Sequence, residues 1–367
     1  MNSREYILLF KMPIGRITYK LRLLEILNLP FDYVIMLTTY RKKWIPDYIW
    51  DNHTELEGKK ALFVCVDAEK RDNKSFKVKR FIPLREVQII KVEKKTAERE
   101  EYLNIWIKTG GYLRYKGDLD SFKKELETKV GADKLPPNEK SYIHKIDLDL
   151  HEIEIIKENE KEVDNAWMSL VEILSETEAY RNLPFFRIKK IVDSNSREEI
   201  YPTIREEKED NEKRVRTVYD ITAHSSYRLT VQGYFLDKAY ENAPLRLDVS
   251  SSSPNIEVTN DLNFESWVEE KDCTITPKKA GKSNIIIRIP SGNQPAELTI
   301  EMDIKAVTWK QRLMSSDFIV ATALIVLYTA LPSLSQYIDF LSNETYSSIV
   351  NNLITLLLIA VLPKIFK

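Results

Sequence analysis

Two kinds of residue in this sequence stand in patterns that chemistry can use. The first is clustered cations. Arg41, Lys42 and Lys43 run together and abut Trp44, and Lys70, Arg71, Lys74, Lys77, Lys79 and Arg80 crowd a second segment. Several cations acting together suit phosphate: each one near an anionic lipid surface is worth about 1 kcal/mol, and nucleic acid offers the same charge. A solvated face is the third reading, and the residues alone leave all three open. The second kind is uncharged polar side chains set among apolar ones. Ser348, Asn351, Asn352 and Thr355 recur at spacings of three and four, and Thr322, Thr329, Ser333 and Gln336 form a similar stripe. On a helix such spacing puts each set on one face. The stripes would serve as packing between helices or as the wall of a water-filled path.

Catalytic patterns are absent. The four histidines, His53, His144, His151 and His224, stand in no His-Glu-x-x-His pair and beside no cysteine. No glycine-rich phosphate loop and no Gly-x-Ser-x-Gly elbow occurs. Asp147 and Asp149 share one face of a strand pattern, as surface strands often do. No enzyme, no metal and no cofactor is expected.

Charge and cysteine usage narrow the class. The chain of 367 residues has a formal net charge of −1, so a global basic field for nucleic acid is missing and direct nucleic-acid binding is not expected. The imbalance is local: residues 1–90 sum to +6 and residues 141–215 to −7. The two cysteines, Cys65 and Cys273, lie far apart and fit a reducing compartment.

The elements that would position these residues read as an α+β chain: an N-terminal mixed α/β-rich unit, an immunoglobulin-like β-sandwich and a C-terminal two-helix transmembrane hairpin. Residues 1–133 form the first unit. Residues 6–10, 33–37, 61–66, 77–82, 87–92 and 102–107 are short, β-branched and apolar, as strands are. Residues 16–27 suit an amphipathic helix, with a strand still possible, and 119–130 suit a helix ending at Gly131. Gly110-Gly111 reads as a turn. Residues 141–215 form an intermediate α/β segment. There 146–155 alternate like a half-buried strand with one slip at His151-Glu152, 163–180 are helical in period, and 206–214 are a charge run expected as an exposed loop. Residues 218–306 carry regularly spaced strands and turn signals, the pattern of the sandwich.

The C-terminal end has two charge-free runs, 21 residues from Phe318 to Ile338 and 19 from Thr345 to Pro363. Each matches the ~20 residues that cross a bilayer core. The hairpin is therefore expected over 317–366. Lys305, Lys310 and Arg312 precede the first run, and Lys364 and Lys367 follow the second. The positive-inside rule then expects a two-helix multi-pass protein of the cell membrane with both termini cytoplasmic.

This layout, with its Ile-, Lys- and Glu-rich composition, resembles the membrane effectors of prokaryotic antiviral systems, of the kind associated with short Argonaute proteins. The resemblance implies an abortive-infection effector that a cytosolic sensor complex signals. Such an effector oligomerises with its own copies and depolarises the membrane, meeting anionic phospholipid through a basic surface. The alternative is a membrane-tethered adaptor that docks a cytosolic partner, with the hairpin only an anchor.

Overall fold

The computed structural model describes residues 4–13, 17–70, 76–97, 100–148, 152–158, 161–181, 183–209, 212–234, 245–259, 262–265, 268–289 and 297–307. Of the C-terminal end it describes only 320, 322–326, 328, 348–350 and 352–355. Two units are distinguishable: Met1–Ile221 with Ser225–Ile304, and Thr222–His224 with Lys305–Lys367.

The first unit opens with a seven-stranded sheet. Its strands are β1 (Arg4–Lys11), β2 (Val34–Arg41), β3 (Lys60–Lys70), β4 (Phe76–Ala97), β5 (Glu100–Tyr115), β6 (Ile143–Leu148) and β7 (Ile153–Ile156). The order is β2-β5-β4-β3-β1-β6, with β7 on β5. β1 and β3 run parallel, the crossover between them carrying helix α1 (Ile17–Asn28), β2 and the short helix α2 (Asp47–Asp51). β6 and β7 follow each other in the chain yet pair β1 and β5 respectively. The sheet therefore curls around one core, in which Tyr6, Leu8 and Phe10 meet Leu62, Val64, Leu113, Ile146 and Ile153. Helix α3 (Leu119–Val130) closes that core with Phe122 and Leu126. The side chain of Asp118 caps its first turn, accepting from the Ser121 amide at 2.6 Å.

Two details differ from the sequence expectation. Residues 77–82 and 87–92 lie on the single 22-residue strand β4, which bends at register shifts rather than turning back. Gly110-Gly111 lies inside β5, not in a turn. A Cβ at Gly110 would stand 2.8 Å from the Glu86 carbonyl oxygen, and one at Gly111 2.7 Å from that of Ile156. Glycine is needed there for close backbone approach.

Helix α4 (Val163–Ser175) buries Trp167, Val171 and Leu174 and leads into a pair of sheets. One sheet has four strands, β13 (Ile256–Thr259), β15 (Val268–Pro277), β11 (Tyr227–Tyr234) and β8 (Phe185–Asp193). The other has six: β14 (Leu262–Phe264), β12 (Leu245–Ser251), β16 (Gly281–Arg288), β17 (Glu297–Lys305), β10 (Glu212–Thr222) and β9 (Thr203–Glu209). Burial alternates along β16 and β17, so each has one apolar face. Gly233 of β11 lies against the Phe264 ring of β14, bringing the two sheets together. The charge run at 206–214, expected as a loop, falls on the β9–β10 hairpin. Opposite charges across neighbouring strands make this possible: Arg205 pairs with Asp220 and Asp303, and Glu207 with Lys282 at 2.8 Å.

The α+β expectation with its helical hairpin is corrected. The described chain is mostly β-strand. Among the described residues no helix is long and apolar enough to cross a membrane. The two-helix transmembrane hairpin over 317–366, and the multi-pass membrane placement with both termini cytoplasmic, are therefore not supported. Within the two charge-free runs the described helical residues come in short stretches, 322–326, 348–350 and 352–355, whereas crossing a bilayer core takes about 20 in a row.

Candidate functional site

The first basic cluster sits where β2 runs into a single helical turn, Lys42–Trp44, followed by Pro46 and α2. Backbone bonds hold the turn from outside: the amides of Lys140 and Tyr142 donate to the carbonyls of Lys43 (2.9 Å) and Trp44 (3.0 Å). Four cations, Arg41, Lys42, Lys43 and Lys140, and three carboxylates, Asp47, Glu100 and Glu101, line a groove of about 390 Å³. Most of these charges are paired. Arg41 donates to Glu100 at 2.8 Å and Lys42 to Glu101 at 2.7 Å, and Lys140 pairs with Asp47. The bond to Glu101 holds the Lys42 ammonium above its ordinary range. Aromatic rings flank the cations: Lys42 and Lys94 stand 5.4 and 5.1 Å from the centre of the Trp50 ring, and Lys43 5.3 Å from that of Trp44. Trp44 is half-buried, edge-on to Tyr142 at 5.3 Å, whereas Tyr48 is 52% exposed.

The second cluster is less of a unit. Lys70, Lys77 and Lys79 are exposed on β3 and β4, while Arg71 and Lys74 lie outside the described residues. Lys79 pairs with Glu69 at 3.1 Å. Arg80 bonds Asp67 at 3.1 Å and Glu176 at 2.8 Å, which ties β4 to the segment just after α4. Burial opposes the Arg80 charge, but those two carboxylates outweigh it and raise its pKa. Of the polar stripes, Thr322, Ser348, Asn352 and Thr355 are exposed, and Thr329, Ser333, Gln336 and Asn351 lie outside the described residues.

The other candidates do not assemble. No group of His, Cys, Asp or Glu among the described residues could hold a metal ion. His144 is buried with Nε2 at 3.0 Å from the Ser141 carbonyl, and burial lowers its pKa. Both cysteines are buried and unpaired, and burial pushes the Cys273 thiol up to about 12. Neither is a nucleophile near neutral pH.

Sequence reasoning missed a second concavity, a cleft of about 300 Å³ between the N-terminal sheet and β8. Arg187 and the Tyr112 ring line its floor, and a second arginine lies behind that ring. Arg85, fully buried on β4, donates to the carbonyls of Ile26 (3.0 Å), Leu29 (2.7 Å) and Gly110 (2.7 Å). Its guanidinium lies between the Phe31 and Tyr112 rings, 4.8 and 4.6 Å from their centres. Arg187 of β8, 3% exposed, lies 5.9 Å from the centre of the same Tyr112 ring and 4.9 Å from that of Trp167. It donates to Gln232 at 2.8 Å and to Asp164, which also accepts from Lys189 at 2.8 Å. Around the mouth stand Glu158, Lys161, Lys190, Glu199 and the 57% exposed Tyr201. Glu158 and Glu199 are open to solvent on one side, yet partial burial in the cleft raises both carboxyls, and Glu199 and Asp32 add repulsion at Glu158. The only sequence signal for this site is an arginine in each of two apolar stretches, Leu84-Arg85 and Phe186-Arg187-Ile188.

No protein-family model matches the chain, and no curated protein matches it. Among solved structures, the Vibrio cholerae VesB protease aligns over 74% of this chain and 96% of its own at 10% identity. With a TM-score of 0.15, that likeness carries no argument about fold or activity.

Proposed function

We propose that this chain is a non-catalytic docking protein that receives a protein partner at the groove of Arg41, Lys42, Lys43 and Tyr48. The partner fitting the layout resemblance is a sensor complex that signals to it. One observation carries the reading: three of the groove's four cations, Arg41, Lys42 and Lys140, are held by Glu100, Glu101 and Asp47. The surface therefore offers fixed charges of both signs beside aromatic rings, not the unopposed positive field that an anionic membrane attracts. Such a surface suits a protein interface, where aromatic residues supply most of the energy and charge complementarity sets the register. A leak formed by assembled hairpins is not carried forward, since no described helix is long and apolar enough to cross a membrane.

The test places a photo-crosslinking phenylalanine at Tyr48 in the producing cells. A protein adduct is expected that disappears in Lys42→Glu and returns in the swapped pair Lys42→Glu/Glu101→Lys. The purified chain should ignore phosphatidylglycerol vesicles at physiological ionic strength. A lipid adduct, no adduct, or vesicle binding that depends on Lys42 would overturn the proposal.

A further inference from the structure

The cleft has a charge pattern that the groove lacks. Arg187, Lys189 and Asp164 are locked together at its floor, with Glu270 accepting from Lys189 at 2.6 Å. By contrast, Glu158, Lys161, Lys190 and Glu199 have no hydrogen bond or ion pair to another described side chain. Arg85 sits behind the Phe31 and Tyr112 rings with carbonyl partners only, and Arg187 shares its one carboxylate with Lys189. The mouth carries both signs, Glu158 and Glu199 beside Lys161 and Lys190, and the two carboxylates hold the Tyr201 phenol above its ordinary range. The volume is at the lower end for small-molecule sites, which begin near ~300 Å³. Side chains of both signs that pair with no other described side chain thus call for both charges on one small molecule.

We propose that this cleft binds a zwitterion of amino-acid size. Its carboxylate meets Lys190 at the mouth with Arg187 behind it, and its ammonium or guanidinium lies between Glu158 and Glu199 against Tyr201. Burying a positive group between the two carboxylates relieves their mutual repulsion. The rings of Tyr201 and Phe31 suit the body of a cationic side chain. No covalent step is implied. This proposal is independent of partner docking at the groove, and either can fail alone.

The experiment titrates L-arginine into the full chain by calorimetry, beside agmatine, which keeps the guanidinium and lacks the carboxylate. L-arginine should bind at least tenfold more tightly than agmatine. Glu199→Gln and Lys190→Gln should each weaken L-arginine at least tenfold with an unchanged melting temperature, since neither side chain is buried. Equal binding of agmatine, insensitivity to both substitutions, or no heat from L-arginine or L-lysine at millimolar concentration would overturn it.

Discussion

The groove and the cleft hold the same inventory, four cations and three carboxylates each, and hold it by different physics. In the groove the side chains are largely exposed, three of the four cations each pair with one carboxylate, and they come from β2, the turn after it, α2, the start of β5 and the segment before β6. Exposed pairs of this kind contribute about 0–1 kcal/mol, because solvent screens them and side-chain entropy opposes them. In the cleft Arg187 is buried against the Tyr112 ring and donates to Gln232 and Asp164, and behind that ring the buried Arg85 satisfies the carbonyls of Ile26, Leu29 and Gly110. There the charges are part of the packing, and removing a partner strands a buried polar group. Equal charge counts thus give an adaptable surface in one place and a rigid socket in the other.

The largest effect that would sharpen this contrast is at Arg85. Arg85→Met keeps most of the volume but leaves the Ile26, Leu29 and Gly110 carbonyls without their donor, each such group costing about 1–3 kcal/mol. Urea unfolding should show a loss of about 3 kcal/mol or more. A loss under about 1 kcal/mol, the size of an ordinary surface change, would break the claim that this guanidinium organises the cleft.

Asp164→Asn comes next, with an expected loss of about 1–2 kcal/mol at neutral pH from the weakened bonds to Arg187 and Lys189. Burial alone would raise the Asp164 carboxyl, yet its bonds to Lys189 and Arg187 hold it below the usual range. A depressed carboxyl stabilises the fold above the unfolded value of about 3.9 and loses that contribution as pH falls through its folded value. The stability curves of the parent and the variant should therefore converge below about pH 4. Parallel curves would contradict the pairing.

The smallest effect is expected in the groove. Glu100→Gln with Glu101→Gln should change stability by less than about 1 kcal/mol, and the change should shrink in salt. A larger, salt-independent loss would place the groove in the same class as the cleft.

Much of the local structure was legible. The helix at 119–130 was readable to the residue from its pattern and Gly131, and most strands of the first sheet were readable from short β-branched runs. The charge run at 206–214 was misread because a strand whose Glu207 is neutralised from Lys282 and Arg216 on neighbouring strands looks in isolation like a solvated loop. Gly110-Gly111 was misread because the steric demand comes from Glu86 and from Ile156, 24 and 45 residues away. The two charge-free runs read as a hairpin because each has the length of a membrane span, but among the described residues no helix is long and apolar enough to be one.

By itself the sequence determined which segments prefer strand or helix, and that Arg41–Trp44 would be a cationic corner, since those preferences are local. Whether that corner is an open basic field or a set of closed ion pairs was decided by β5, which brings Glu100 and Glu101 to Arg41 and Lys42. The cleft was decided wholly by tertiary structure. Arg85 and Arg187 are 102 positions apart, and only the seating of β8 beside the first sheet brings both to Tyr112. Charge acts through space, and the distances that set its sign and strength exist only once the chain has folded.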